Sequence, residues 1–172
     1  MLRDTLLRSA AERLYEPRWS PDILDELSRN LVHRIGLRQD RVDWLLFRME
    51  QEFPDALIDG YQSHIAVMTN HPKDRHVLAA AVHANAALIV TSNLKDYPEA
   101  ALAPYNIATR SPDRFLLALA ESSCAGMETA LRKQAQAFRN PPRSVSDVLK
   151  NLERSAPAFV TFMRDRMLVH HL

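Results

Sequence analysis

The chain has 172 residues, of which 47% are hydrophobic and 25% charged, and its formal net charge at pH 7 is +1. These values predict one compact domain with a helical appendage and exclude a disordered or fibrous chain. With Cys124 as the single cysteine and no apolar run near the ~20 residues of a membrane span, we expect a soluble cytoplasmic protein without disulfides or a signal peptide.

The first third of the chain alternates helical and short extended patterns. Apolar residues at helical spacing predict a helix over residues 2–14, and aromatic residues predict a short strand over 15–19. Ser20 followed by proline and aspartate has the chemistry of a helix start, so the next helix is predicted over 21–35. Three further features precede residue 70: a helix over 38–53, a short strand over 56–58 and an ambiguous apolar run over 64–68.

The alternation continues from residue 70 to about residue 121. A helix is predicted to begin around residues 70–74 and to end near residue 85, followed by a continuously apolar, buried strand over 87–91. A short helix opens at Pro98, a strand is predicted over 106–109, and Ser111 with its following Pro-Asp repeats the earlier helix start. Alternating strands and helices indicate an α/β fold with a mainly parallel sheet.

The last 51 residues carry no strand signal. Pro141 and Pro142 separate two helical patterns, and Ser144 with Asp147 forms a helix-capping pair at the start of the second. We therefore predict an α/β domain over residues 1–121 and an all-helical extension over 122–172.

The chain lacks the sequence motifs of several enzyme classes. Only three glycines are present, so neither a dinucleotide fingerprint nor a phosphate-binding P-loop can be built. The Gly-x-Ser-x-Gly nucleophile elbow and the His-Glu-x-x-His zinc pair are also missing.

Acidic residues lie instead where an α/β sheet binds ligands, beyond the carboxyl ends of its strands. Glu26 is early in the helix after residues 15–19, Asp74 is in the first turn of its helix, and Asn93 and Asp96 follow the buried strand. Clustered carboxylates are stabilised by Mg²⁺ or Mn²⁺, and such a metal activates water for attack on a phosphodiester.

Each acidic residue also has a plain structural explanation. Glu26 can be a solvated helix residue, Asp74 can complement the helix dipole, and Asp96 can be a turn residue before a proline. A different class, a small-molecule α/β enzyme, would follow if His76 and His83 shared a zinc ion with Asp74, although packing histidines are the simpler interpretation.

Three sequence blocks resemble the signature of a known family. RWSPDILDEL (residues 18–27), KDRHVLAAA (73–81) and IVTSNLKDYP (89–98) are similar, in order and spacing, to those of PIN-domain proteins of the VapC-like toxin branch, over residues 1 to 120. The resemblance implies a three-layer α/β/α fold and a Mg²⁺- or Mn²⁺-dependent endoribonuclease. It also implies a cognate antitoxin, and a homodimer is expected.

The resemblance also implies roles for individual residues. Glu26 and Asp74 match metal-binding acids, Asn93 stands where many PIN proteins have a further Asp, Asp96 assists coordination, and Thr91 with Asn93 positions water. PIN domains begin with an apolar strand ending in a first catalytic Asp, whereas this sequence enters at the following helix, where Asp4 is no substitute. We therefore keep the alternative of a PIN-fold module that binds RNA or an antitoxin without cleaving.

A basic stretch in the extension offers a second site for nucleic acid. Its members are Arg132, Lys133, Arg139 and Arg143, with Glu128 as the one nearby acid in sequence. Such a stretch either contacts RNA phosphates or forms a solvated helix face.

Overall fold

The computed structural model describes residues 1–169 of the chain, and within this range helices dominate. The helices are α1 Leu2–Ala11, α2 Pro21–His33, α3 Gln39–Glu52, α4 Gln62–Ile65, α5 Arg75–His83, α6 Glu99–Leu102, α7 Pro112–Ser122, α8 Cys124–Gln136, α9 Val145–Leu152 and α10 Pro157–Val169. The strands are β1 Leu88–Val90 and β2 Ala108–Arg110. Short 3-10 turns separate several of these elements.

The serines predicted as helix starts are N-caps in the structure. The hydroxyls of Ser20, Ser111 and Ser144 accept hydrogen bonds from amide groups in the first turns of α2, α7 and α9, respectively. Each bond satisfies a backbone donor that has no partner within its own helix. The local chemistry of the sequence therefore determines where these helices begin.

The sheet confirms the α/β PIN-like class but is smaller than the sequence indicates. β1 and β2 pair in parallel, with the Ala108 amide donating to the Ala87 carbonyl at 3.0 Å. The strands predicted over 15–19 and 56–58 are corrected to one isolated parallel bridge between Trp19 and Leu57. The 3-10 turn at Pro54–Ala56 shortens the second segment, because a proline turn cannot continue a strand ladder.

The residues fall into two compact units. One unit contains residues 17–89 and 93–109 and is called here the central unit. Its core surrounds α5, where Leu78, Ala79 and Ala80 are buried together with Tyr61 and Met68. Small side chains on α5 let neighbouring backbone approach closely, so this helix is fixed firmly within its unit.

Among the described residues, the other unit contains 1–16, 90–92 and 110–169 and is called here the terminal unit. Its core includes Leu131, Leu152 and Phe159, each 0% exposed. Buried Gln134 on α8 accepts a hydrogen bond from the Thr5 hydroxyl of α1 at 2.9 Å. The first and last parts of the sequence thus share one hydrophobic core, while the division into residues 1–121 and 122–172 stays a prediction.

One glycine in the terminal unit lies in close contact with a neighbouring side chain. A Cβ atom at Gly126 in α8 would lie 2.7 Å from Cδ2 of Leu14. Carbon atoms in contact prefer a separation of about 3.5–4.0 Å, so a larger residue would displace Leu14. Across residues 1–169, no helix combines the length and the apolar character needed to cross a membrane.

Candidate metal centre

Asp74 is presented by a short turn at the start of α5. The 3-10 turn Pro72–Asp74 is closed by the Asp74 amide, which donates to the His71 carbonyl at 2.9 Å. The turn places the Asp74 carboxylate at the helix N-terminus, where backbone N–H groups favour negative charge. Its side chain is 24% exposed and so remains accessible from solvent.

Asp96 is presented by a second turn, which follows β1. This 3-10 turn, Leu94–Asp96, begins after Asn93, whose side-chain amide donates a hydrogen bond to Oδ2 of Asp96. The Asp96 carbonyl also accepts a hydrogen bond of 3.0 Å from the His71 amide. A backbone hydrogen bond therefore links the turn carrying Asp96 to the residue that opens the Asp74 turn.

The two turns create a cluster of metal-ligating side chains. Donor atoms of His71, Asp74 and Asp96 all lie within 4.8 Å of one another. Nδ1 of His71 is 3.8 Å from Oδ2 of Asp74. Three donors at such spacing can approach one cation with small side-chain adjustments.

Glu26 adds a further carboxylate from α2. Its Oε2 atom is 3.8 Å from Nε2 of His76, which lies on α5 two residues after Asp74. The Glu26 side chain is 52% exposed, whereas that of His76 is 20% exposed. Glu26 is therefore the more solvent-accessible member of this pair.

The electrostatics of these residues show that their charges act on one another. Burial raises the pKa of Asp74, and the negative charges of Asp96 and Glu26 raise it further, while His71 opposes the effect. Burial also raises the pKa of Tyr97, followed by the charges of Asp74, Glu26 and Asp96. Because Asp96 and Glu26 destabilise the charged form of Asp74, the cluster favours binding of a positive ion.

The structure thus brings together the acidic residues selected from the sequence. Asp96 and Glu26 act on Asp74 electrostatically, and the Asn93 side-chain amide donates a hydrogen bond to Asp96. Thr91 follows β1, and its amide donates to the Arg110 carbonyl at 3.0 Å. The water-positioning role of Thr91, like the metal-binding roles of the other residues, stays a prediction.

The positions of the histidines differ from those that the zinc alternative requires. The metal-ligating group found within residues 1–169 contains His71, and neither His76 nor His83. His83 instead lies beside His64, with ring centroids 5.7 Å apart. A zinc site of His76, His83 and Asp74 is therefore not supported by this geometry.

Two residues of the centre, His71 and Tyr97, were missed by sequence reasoning. In the sequence, His71 falls only within the predicted start of a helix, and Tyr97 only within the block of residues 89–98. Their positions beside the two turns that carry Asp74 and Asp96 could have indicated them. Residues next to a ligand in a tight turn lie close to that ligand in space.

The basic residues of the extension lie in the terminal unit and are partly neutralised. Arg132 pairs with Glu128, and Lys133 pairs with Glu12 at 2.6 Å, an acid that sequence proximity did not reveal. The Arg143 guanidinium lies 4.4 Å from the ring centroid of Phe138, and Arg139 is exposed. Arg139 and Arg143 are thus the better candidates for phosphate contact within this set.

An α/β domain with carboxylates gathered at strand and helix ends is the arrangement of a PIN domain. The family model for the PIN domain matches residues 2–95, more than half of the chain, and the chain belongs to the PIN domain family. A second family model, the VapC50 C-terminal domain, matches residues 112–165. The VapC-like resemblance seen in the sequence blocks is confirmed.

Similarity to a curated relative agrees with this assignment. The chain is 41% identical over 109 residues to a Mycobacterium tuberculosis protein named "Putative ribonuclease VapC50". The alignment spans 63% of this chain and 64% of that relative, so the match covers just under two thirds of each. No solved structure matches the chain.

Proposed function

We propose that this protein is a metal-dependent endoribonuclease and the toxin of a toxin–antitoxin pair. The observation that carries the proposal is the convergence of Glu26, Asp74 and Asp96 in a region where burial and their mutual repulsion raise the pKa of Asp74. Membership of the PIN domain family and the ribonuclease named among its relatives support the same activity.

The residues present fit Mg²⁺ or Mn²⁺. Both ions prefer oxygen ligands, and three carboxylates supply these together with the negative charge that a divalent cation neutralises. Asp74 and Asp96 would hold the ion from their two turns, and Glu26 would approach from α2. Asn93 orients the Asp96 carboxylate by its hydrogen bond to Oδ2.

Hydrolysis in this site needs no nucleophilic side chain. A bound divalent cation would lower the pKa of a water molecule and neutralise charge on the departing oxygen of the RNA phosphodiester. The protein side chains act on the attacking water. Thr91 and Asn93 are proposed to position this water, and Glu26 is proposed to receive its proton. Arg139 and Arg143 are proposed to contact RNA phosphates.

A cleavage assay with a matched control tests this activity. The complete product of the reading frame would be incubated with structured and single-stranded RNAs in Mg²⁺, in Mn²⁺ and with chelator. We expect metal-dependent cleavage that Asp74→Asn reduces by at least about 100-fold, the scale of losing one major catalytic interaction. Asp55→Asn, which changes an exposed aspartate elsewhere in the central unit, should cleave normally.

The other outcomes separate the alternatives. Metal-independent RNA binding without cleavage would support the noncleaving PIN module in place of the nuclease. Cleavage that persists in Asp74→Asn would show that another site performs the chemistry, and the assignment of these carboxylates would be wrong.

The toxin role requires a protein partner encoded nearby. PIN toxins of the VapC-like branch imply a cognate antitoxin, so the product of the adjacent reading frame should bind this chain and suppress cleavage. Size-exclusion chromatography with light scattering would measure the complex and would also test the expected homodimer. If neither adjacent product inhibits an active enzyme, the nuclease proposal stands and the toxin role fails. The cytoplasmic location stays a prediction.

A further inference from the structure

His71 differs chemically from the acidic residues of the centre. Its donor atom is an imidazole nitrogen, whereas Asp74, Asp96 and Glu26 offer carboxylate oxygens. Yet its donor nitrogen lies within 4.8 Å of both aspartate donors. The question is whether this nitrogen belongs to the coordination sphere or only borders it.

The backbone holds His71 at the cluster. Its amide donates to the Asp96 carbonyl at 3.0 Å, and its own carbonyl accepts from the Asp74 amide at 2.9 Å. Both aspartates are therefore tied to the His71 peptide groups rather than reaching it through long flexible side chains. Pro72 follows directly and restricts the backbone at this point.

The donor nitrogen of the imidazole faces the turn that carries Asp74. Nδ1 accepts a hydrogen bond from the Lys73 amide at 3.4 Å. A bond of this length is weak, and a cation can replace it at little cost. The His71 side chain is 45% exposed and has room to rotate by the small amount needed.

The residue before His71 provides a second observation. Asn70 is 2% exposed, and within residues 1–169 both polar atoms of its side chain lack a hydrogen-bond partner. Buried amide groups are normally satisfied, so this segment has hydrogen-bonding capacity that the surrounding protein does not use. The unused hydrogen-bonding capacity of Asn70 lies directly beside His71 in the sequence.

We infer that His71 binds the catalytic cation through Nδ1 and makes this centre select Mn²⁺ over Mg²⁺. The inference rests on the metal site of the proposed function and goes beyond it by naming a ligand and a preference. Mg²⁺ is a hard ion that takes oxygen ligands and retains water, whereas imidazole nitrogen favours transition-metal ions. A mixed set of one nitrogen and two or three carboxylates therefore discriminates between ions that an all-oxygen set accepts alike.

Electron paramagnetic resonance of bound Mn²⁺ tests the ligand directly. Pulsed measurements detect coupling to a ¹⁴N nucleus when imidazole coordinates the ion, independently of any cleavage. We expect this coupling in the unmodified protein and its loss in His71→Asn, which keeps a side chain that can cap the Pro72–Asp74 turn. His33→Asn, at an exposed position on α2, is the matched control and should retain the coupling.

Metal titrations test the preference. We expect His71→Asn to weaken Mn²⁺ binding by about 10-fold or more, within the range seen when metal-site residues are changed, while Mg²⁺ affinity changes much less. His71→Asp replaces the nitrogen ligand by a carboxylate oxygen. This variant should bind Mg²⁺ more tightly than the unmodified protein does, and its affinities for Mn²⁺ and Mg²⁺ should differ less.

The outcomes distinguish this inference from the proposed function. Mn²⁺ binding without ¹⁴N coupling, or coupling that persists in His71→Asn because another histidine supplies it, overturns the inference and leaves the nuclease proposal intact. Failure of the unmodified protein to bind either ion overturns both.

Discussion

The two units of the molecule differ in what they add to a buried core. In the terminal unit, helices bury apolar side chains such as Leu131 and Phe159 completely. The central unit also has a buried core, around α5, but it carries Asp74 and Asp96 on short 3-10 turns, where they remain partly exposed and where Asp96 raises the pKa of Asp74. The comparison teaches that stability and chemistry are separated: apolar cores lower the free energy of folding in both units, while the two turns of the central unit retain unfavourable charge for a ligand.

The largest expected effect is on the core of the terminal unit. Phe159→Ala should lower the free energy of unfolding by about 3–5 kcal/mol, because it leaves a cavity in place of a side chain that is 0% exposed. Denaturant unfolding followed by circular dichroism measures this decrease. Phe162→Ala, at a partly exposed position of the same helix, should cost clearly less. Equal decreases would contradict the assignment of Phe159 to the core.

The next effect concerns the metal centre, where a substitution should raise the free energy of unfolding of the metal-free protein instead of lowering it. Metal-free Asp74→Asn should be slightly more stable than the unmodified protein, since one of several repelling charges is removed. Saturating Mn²⁺ should stabilise the unmodified protein by about 2.7 kcal/mol at 100 times its Kd and the variant far less. Thermal unfolding with and without chelator measures both. If Asp74→Asn is less stable than the unmodified protein without metal, or is stabilised as much by Mn²⁺, the metal centre does not hold unfavourable charge for a cation.

Local sequence signals predict the helices of both units well. Ser20, Ser111 and Ser144 were expected as helix starts and are N-caps, because capping depends on residues within one turn. The predicted strands over 15–19 and 56–58 fared worse and reduce to the bridge between Trp19 and Leu57. Strand length depends on pairing with a distant segment, and a short apolar run contains no information about its partner.

The site shows the same contrast between local and nonlocal information. Glu26, Asp74 and Asp96 were predictable as carboxylates at element ends and from the resemblance to PIN domains. His71 was not, because its relation to Asp96, 25 residues further along the sequence, arises only when the two turns meet through a backbone hydrogen bond. The partial neutralisation of Lys133 by Glu12 was hidden for the same reason.

A smaller effect is expected for the basic residues of the terminal unit. Replacing Arg139 and Arg143 by alanine should weaken RNA binding severalfold and reduce the salt dependence of log K by about 0.7 for each phosphate of single-stranded RNA that the variant no longer binds. The same change at Arg132 and Lys133 should matter less, because both pair with acids. Fluorescence anisotropy at several salt concentrations measures these slopes. Equal slopes for all variants would show that this surface does not bind RNA.

The smallest effect is a pH dependence at the start of α9. The Ser144 hydroxyl and amide donate hydrogen bonds of 2.7 Å and 2.8 Å to Oδ2 of Asp147, and they lower the pKa of Asp147 below its ordinary value of 3.8. A lowered pKa in the folded state stabilises the protein above pH 3.8, and this contribution disappears as pH falls through the folded-state value. Asp147→Asn should therefore be less stable than the unmodified protein at pH 7, and the difference should shrink below pH 3.8.

Denaturant unfolding at pH 7 and below pH 3.8 measures this difference, with Asp165→Asn, an exposed aspartate of α10, as control. The control should show little change between the two conditions, since its carboxylate is not part of a helix cap. The prediction would be wrong if the difference in free energy of unfolding between Asp147→Asn and the unmodified protein grew on acidification. A carboxylate whose charge stabilises the folded state loses that contribution when it is protonated, so growth of the difference would mean that the charge of Asp147 destabilises the fold.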